Sequence, residues 1–195
     1  MASLYALLAV TGARGDDDLI SADRPGIADG SQTVKRGQFQ IEAGLQEEHD
    51  RSDGIDSRQL LTPSLFRYGV TDRFEARIES DAYQRLRIVG PDSRATSTGW
   101  APVAIGFKVH FVDEALDQHR PSMGLIVRFV PPSGTSDFRS DRASGDVRFA
   151  ADYELGKWSL NPNLGVAVGP DDENRNFVSA LAFATLNLNA AWLHG

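Results

Sequence analysis

Residues 74–82 read Phe-Glu-Ala-Arg-Ile-Glu-Ser-Asp-Ala, with a charge at every second position. Successive side chains of an extended strand leave on opposite faces. This stretch therefore makes a ribbon with Phe74, Ala76, Ile78, Ser80 and Ala82 on one side and Glu75, Arg77, Glu79 and Asp81 on the other. Four ionised groups in a row need water along their face. The outer surface of a soluble sheet supplies it, and so does the wet interior of a membrane barrel.

The same rhythm recurs in runs of about ten residues, the length of a tilted transmembrane strand. Residues 37–47 place Phe39, Ile41, Ala43 and Leu45 against Gln38, Gln40, Glu42 and Gln46. Residues 101–111 place Val103, Ile105, Phe107, Val109 and Phe111 against Lys108 and His110. Residues 147–155 set Val147, Phe149, Ala151, Tyr153 and Leu155 against Arg148, Asp152 and Glu154. Segments 60–70, 122–130 (apolar apart from Arg128), 158–168 and 177–186 read as further strands, and 190–193 begins another. Pro63 and Pro162 count against two of these runs, because proline lacks the N–H that a ladder needs.

The segments between strands alternate in length. Residues 48–59, 84–99 and 131–145 are long and polar, while 69–72 and 156–157 are tight. Outer-membrane barrels alternate long external loops with short periplasmic turns in this way. The segment 112–120 fits worst, being long for a periplasmic turn. On this pattern the first strand runs outward from a periplasmic amino terminus. Eight strands and the start of a ninth make an incomplete closure, so the chain reads as a fragment.

Composition narrows the classes. The 195 residues suffice for one domain, and a net charge of −7 argues against a nucleic-acid partner. There is no cysteine, hence no disulfide or thiolate site. No run approaches the ~20 apolar residues of a membrane helix. Leu4 to Val10 resembles the apolar core of a secretory leader, without the basic residues that usually precede it. Residues 1–22 are accordingly expected to be a leader remnant or disordered, and 23–195 a single β-barrel domain.

The sequence also resembles a known family. Its residues are Ala22-Asp23-Arg24-Pro25-Gly26, Thr33-Val34-Lys35-Arg36-Gly37-Gln38-Phe39-Gln40-Ile41-Glu42-Ala43-Gly44, and Leu65-Phe66-Arg67-Tyr68-Gly69-Val70-Thr71-Asp72-Arg73-Phe74-Glu75. Ile105-Gly106-Phe107-Lys108, Val130-Pro131-Pro132-Ser133-Gly134, Trp158-Ser159-Leu160-Asn161 and Asn163-Leu164-Gly165 continue it. Together these resemble the outer-membrane "transporter" proteins related to the phenol-degradation meta-pathway (MetA-like). The resemblance implies an outer-membrane β-barrel, longer than this chain, and passage of aromatic compounds. It transfers no mechanism at the level of residues.

The residues give little support to catalysis or metal binding. His49 falls in a polar stretch, and His110 shares the charged face of its strand with Lys108. Ser136, Ser140 and Ser144 lack a nucleophile's surroundings. Asp16-Asp17-Asp18 and Asp171-Asp172-Glu173 lack the spacing of a calcium loop and read as solvated acidic runs.

The expectation is an all-β, antiparallel up-and-down transmembrane barrel of the bacterial outer membrane, in contact with lipid and small solutes. It is expected to act as a passive channel without enzymatic activity, cofactor or metal. Glu75, Arg77, Glu79, Asp81, Lys108, Arg128, Arg148, Asp152 and Glu154 are expected to line its lumen. A soluble or periplasmic β-sheet binding protein is the alternative, and a barrel enzyme the third reading. Strand number decides between a filled barrel and an open channel. Oligomeric state has no signature in the residues.

Overall fold

A computed structural model describes residues 2–11 (as backbone), 28–171 and 175–188. Its described residues form one antiparallel sheet of 12 strands curled into a half-barrel, with a single 3-10 turn at Leu116–Gln118. The strands are β1 Ala2–Thr11, β2 Phe39–Ser52, β3 Ile55–Leu61, β4 Ser64–Thr71, β5 Phe74–Ser80 and β6 Tyr83–Val89. They continue with β7 Arg94–Trp100, β8 Ala104–Val112, β9 Ser122–Val130, β10 Ser144–Leu155, β11 Trp158–Pro170 and β12 Asn176–Leu188. The sheet order is β12-β11-β10-β9-β8-β5-β4-β2-β3-β6-β7, with β1 along the free edge of β2.

That order is a meander in which three long strands are broken. β2 pairs with β4 through residues 39–43 and with β3 through 46–52, so β3 and β4 are two halves of one strand. β5 with β6 and β7 with β8 are divided at the same level. Pro63 sits in the first break, where Thr62 N–H reaches Asp81 O and Tyr83 O, both at 3.1 Å. Ala82, with φ of 43°, turns the second. The other proline, Pro162, lies opposite the gap in the β10–β11 ladder between Ala150↔Asn163 and Tyr153↔Leu160. Both prolines are accommodated where a ladder bond is already missing.

The long polar segments 48–59 and 84–99 are not irregular loops, as their composition suggested. They are hairpins that prolong the strands. Asp53 and Gly54 both have positive φ (51° and 78°), which suits a two-residue hairpin turn. Gly90 N–H closes the β6–β7 turn on Ser93 O at 2.9 Å. These turns, the connection 131–143 and the described residues Asp171 and Arg175 share one end of the sheet, the upper end. The turns 72–73 and 156–157 and the segment 113–121 share the lower end. Residues 2–11, expected as a leader remnant, lie extended along β2. The ninth strand expected at 190–193 falls outside the described residues.

The two faces have opposite character. The outer face exposes Ile78 (51 %) and Ile105 (50 %) at mid-height. Phe39, Tyr68, Phe111 and Trp158 are exposed near the lower end, and Tyr83, Trp100, Phe129 and Phe177 higher up. Several of the outer rings touch: Phe74 and Phe107 stack at 5.5 Å between centroids, and Tyr83 meets Trp100 edge-on at 6.1 Å. The inner face buries Arg67, Arg77 and Lys108, its largest fully covered side chains. A water-soluble sheet has the reverse arrangement.

Candidate functional site

The inner face is crossed by the chain itself. Residues 28–35, irregular in conformation, run down its lower half before Gly37 turns them into β2. Gly37 N–H bonds Gly69 O at 2.7 Å and Arg36 forms a bridge with Gly69, which pins the stem to β4. Two glycines make room for this segment. A Cβ on Gly124 of β9 would lie 2.8 Å from Ser31 O and 3.3 Å from its Cα, and one on Gly69 would overlap Val34 O and Lys35 O.

The segment is held by the buried charges. Asp29 spans two arginines: Arg77 Nη2 donates to Oδ1 at 2.8 Å and Arg148 Nη1 to Oδ2 at 2.7 Å. Asn163 of β11 grips the same residue by its backbone, accepting from Asp29 N–H at 3.2 Å and donating to Asp29 O at 2.9 Å. Ser31 donates from N–H (2.7 Å) and Oγ (2.5 Å) to Asp152 Oδ2, and its hydroxyl also meets that of Ser122. Arg67 Nη2 and Lys108 Nζ both donate to Gln32 O, at 3.0 and 3.2 Å. Val34 N–H donates to Glu75 Oε2 at 2.8 Å. His110 Nδ1 lies 3.2 Å from Ser31 O.

Around this core the wall charges pair with one another. Arg67 donates to Glu75 (Nε to Oε1, 2.8 Å) and to Glu42 (Nη1 to Oε1, 3.2 Å), and all three side chains are buried. Higher up, Arg128 bridges Glu79 Oε1 at 3.2 Å and Asp146 Oδ1 at 2.8 Å. Arg148 Nε also donates to Asp146, at 2.9 Å. Charges this far from water persist because each meets an opposite charge or a hydrogen-bonding partner. Above the segment, two hollows of about 270 and 230 Å³ share Arg128 and Val130.

Of the residues singled out in the sequence, Glu75, Arg77, Glu79, Lys108, Arg128, Arg148 and Asp152 converge on this inner network. Asp81 and Glu154 do not. Asp81 is exposed at the β5–β6 break, on the rim of the smaller hollow, because the break carries it out of the Glu75–Glu79 alternation. Glu154 is exposed near the end of β10, where its N–H donates to Glu114 at 3.1 Å. Arg67, Asp146 and Asn163 were not singled out, although each has the charged or polar parity of its strand, and Glu42 was placed on the polar face of its run without being assigned to the lumen. Sequence reasoning also missed Asp29 and Ser31, which precede the first alternating run and carry no periodic signal. Among the described residues no cluster of three metal-ligating side chains occurs.

An up-and-down antiparallel sheet curled into a half-barrel, charged within and apolar without, is the arrangement of the β-barrel class. More narrowly, the chain belongs to the family described as "Putative MetA-pathway of phenol degradation", whose model matches residues 22–194. No curated protein and no solved structure matches it.

Proposed function

We propose that this chain is an outer-membrane β-barrel protein whose interior binds or passes small molecules, aromatic compounds included, without altering them chemically. The observation that carries the reading is the inverted polarity of the sheet. Arg67, Glu75 and Lys108 are at most 1 % exposed, while Ile78 and Ile105 are half exposed. Water on the outer face would leave a broad apolar surface unsatisfied, and hydrocarbon would not. The aromatic side chains toward each end suit the two headgroup regions of a bilayer. Beyond the upper aromatics, β3, β6 and β7 turn polar, as strands rising out of a membrane should. Family membership supports a link to aromatic compounds through the family's description.

The segment 28–35 fills the lower half of the interior, so passage needs it to move. Fractionation and bilayer recording test the reading together. The full chain is expected in the outer-membrane fraction and to need detergent for extraction. It is expected to conduct weakly in planar bilayers, and Gly124→Val, which intrudes on Ser31, to conduct more. Folded, monodisperse protein without detergent would remove the membrane assignment. Silent bilayers from both proteins would remove passage.

A further inference from the structure

We infer that Arg77 and Arg148 form a seat for the carboxylate of a small organic anion, which Asp29 occupies in its place. The inference rests on solutes reaching the interior, as proposed above, and narrows their class. The two guanidinium groups come from different strands, β5 and β10, and close on the two oxygens of one carboxylate at 2.8 and 2.7 Å. Each contact is a charge-assisted bond, stronger than a neutral one, and together they occupy both oxygens of a planar carboxylate. The carboxylate they hold belongs to neither strand. It arrives on an irregular segment that no ladder fixes at that point.

The surroundings favour an exchangeable occupant. Each arginine keeps a carboxylate of the wall, Arg148 that of Asp146 at 2.9 Å and Arg77 that of Glu75 at 3.8 Å, so neither depends on Asp29 alone. Among the described residues Arg148 Nη2 is buried with no hydrogen-bond acceptor, leaving a donor that an incoming anion can use. Gly165 on β11 allows this reach: a Cβ there would press on Arg148 Cγ at 2.8 Å. The guanidinium thus extends to 5.9 Å from the ring of Phe183 on β12, an apolar flank for an organic solute. Above, Asp146 lines a hollow of about 270 Å³ and accepts from Arg148, so the hollow comes within one side chain of the seat. Withdrawal of Asp29 without replacement would leave Arg77 and Arg148 with only their wall carboxylates in a poorly hydrated site. An incoming carboxylate removes that penalty, so binding of the solute and release of the segment are coupled.

Calorimetric titration of benzoate into the detergent-folded full chain tests this, with benzyl alcohol as the uncharged control. Asp29→Asn removes the internal competitor and keeps the residue's size. It is expected to tighten benzoate by about tenfold or more, since a tethered competitor acts at millimolar effective concentration. Adding Arg148→Gln should abolish the gain, and benzyl alcohol should bind all three proteins alike. Unchanged benzoate affinity in Asp29→Asn, or an equal gain for benzyl alcohol, would overturn the proposal. Should Asp29→Asn not fold, the wild-type chain decides: benzoate, and not benzyl alcohol, should speed proteolysis within residues 28–35. No such acceleration overturns it equally. A benzoate gain in a protein that proves soluble would leave the seat standing and remove the membrane reading. A conducting barrel without the gain would do the reverse.

Discussion

At the level of single residues, position within the alternation decides what a side chain tolerates. Ile78 faces outward at mid-height and Glu79, its neighbour, accepts from Arg128 at 3.2 Å on the inside. Ile78→Arg should cost about 2–4 kcal/mol if it meets hydrocarbon near the midplane, measured by reversible unfolding in vesicles. Ile78→Leu should cost little. Glu79→Arg is not a mild change either, since it sets a second guanidinium against Arg128. Arg67 lies at the centre of the buried network, holding Glu42, Glu75 and Gln32 O. Arg67→Ala should therefore destabilise by about 3–5 kcal/mol, because two buried carboxylates lose their nearest cation. The same unfolding assay checks it. These assignments were legible in the sequence where alternation is unbroken, as in Glu75–Arg77–Glu79. The alternation stops short of Asp81, because Ala82 turns the backbone there and no alanine announces a positive φ.

At the level of elements, the segment 28–35 and the strands that hold it behave as lock and bolt. Gly124→Val should expose residues 28–35 to protease while the sheet remains folded, read by cleavage mapping against the wild type. The lower-end segment after β8 adds a pH dependence. Asp113 accepts from His110 Nε2 at 2.8 Å and from Arg73 at 2.7 Å. The bond from His110, aided by the charge of Arg73, holds its carboxyl below the usual carboxylate range. A depressed folded pKa means the carboxylate stabilises above its unfolded pKa, and this support is lost as pH falls through the folded value. Asp113→Asn should thus lower stability slightly at neutral pH, flatten the acid limb of a pH–stability profile and converge with the wild type at low pH. Elements were less legible than faces. The hairpins β2–β3 and β6–β7 read as loops because the segments that form them are rich in polar residues. Asp53-Gly54 and Gly90-Pro91 were the turn signals that marked them. The interior segment had no signal of its own. The stretch Thr33–Gly44, quoted for its family resemblance, turns out to be its stem and the start of β2, and Leu65–Glu75 the hairpin that receives it.

For the whole molecule, the inverted polarity ties stability to the surrounding solvent. The upper hairpin β6–β7 touches the rest mainly through β3 and through Thr135, whose N–H meets Trp100 O at 3.0 Å. Replacing residues 84–99 by a short turn should leave the band between the aromatic residues able to fold, judged by retained heat-resistant migration on gels. The barrel class was legible from alternation alone, since it needs only a period of two. What filled the barrel was not, because contacts such as Asp29 with Asn163, 134 residues apart, leave no mark on local pattern.

That separation carries a consequence for the order of assembly. Asp29 and Ser31 precede every strand from β2 onward, yet their partners stand on β5, β9, β10 and β11. The earliest part of this region to be synthesised must wait, unsatisfied, until β11 has joined before it can dock fully. Its docking then reports that β5, β9, β10 and β11 have come together: a fluorophore near residue 30 should change its signal only after the pairing of those strands has levelled off.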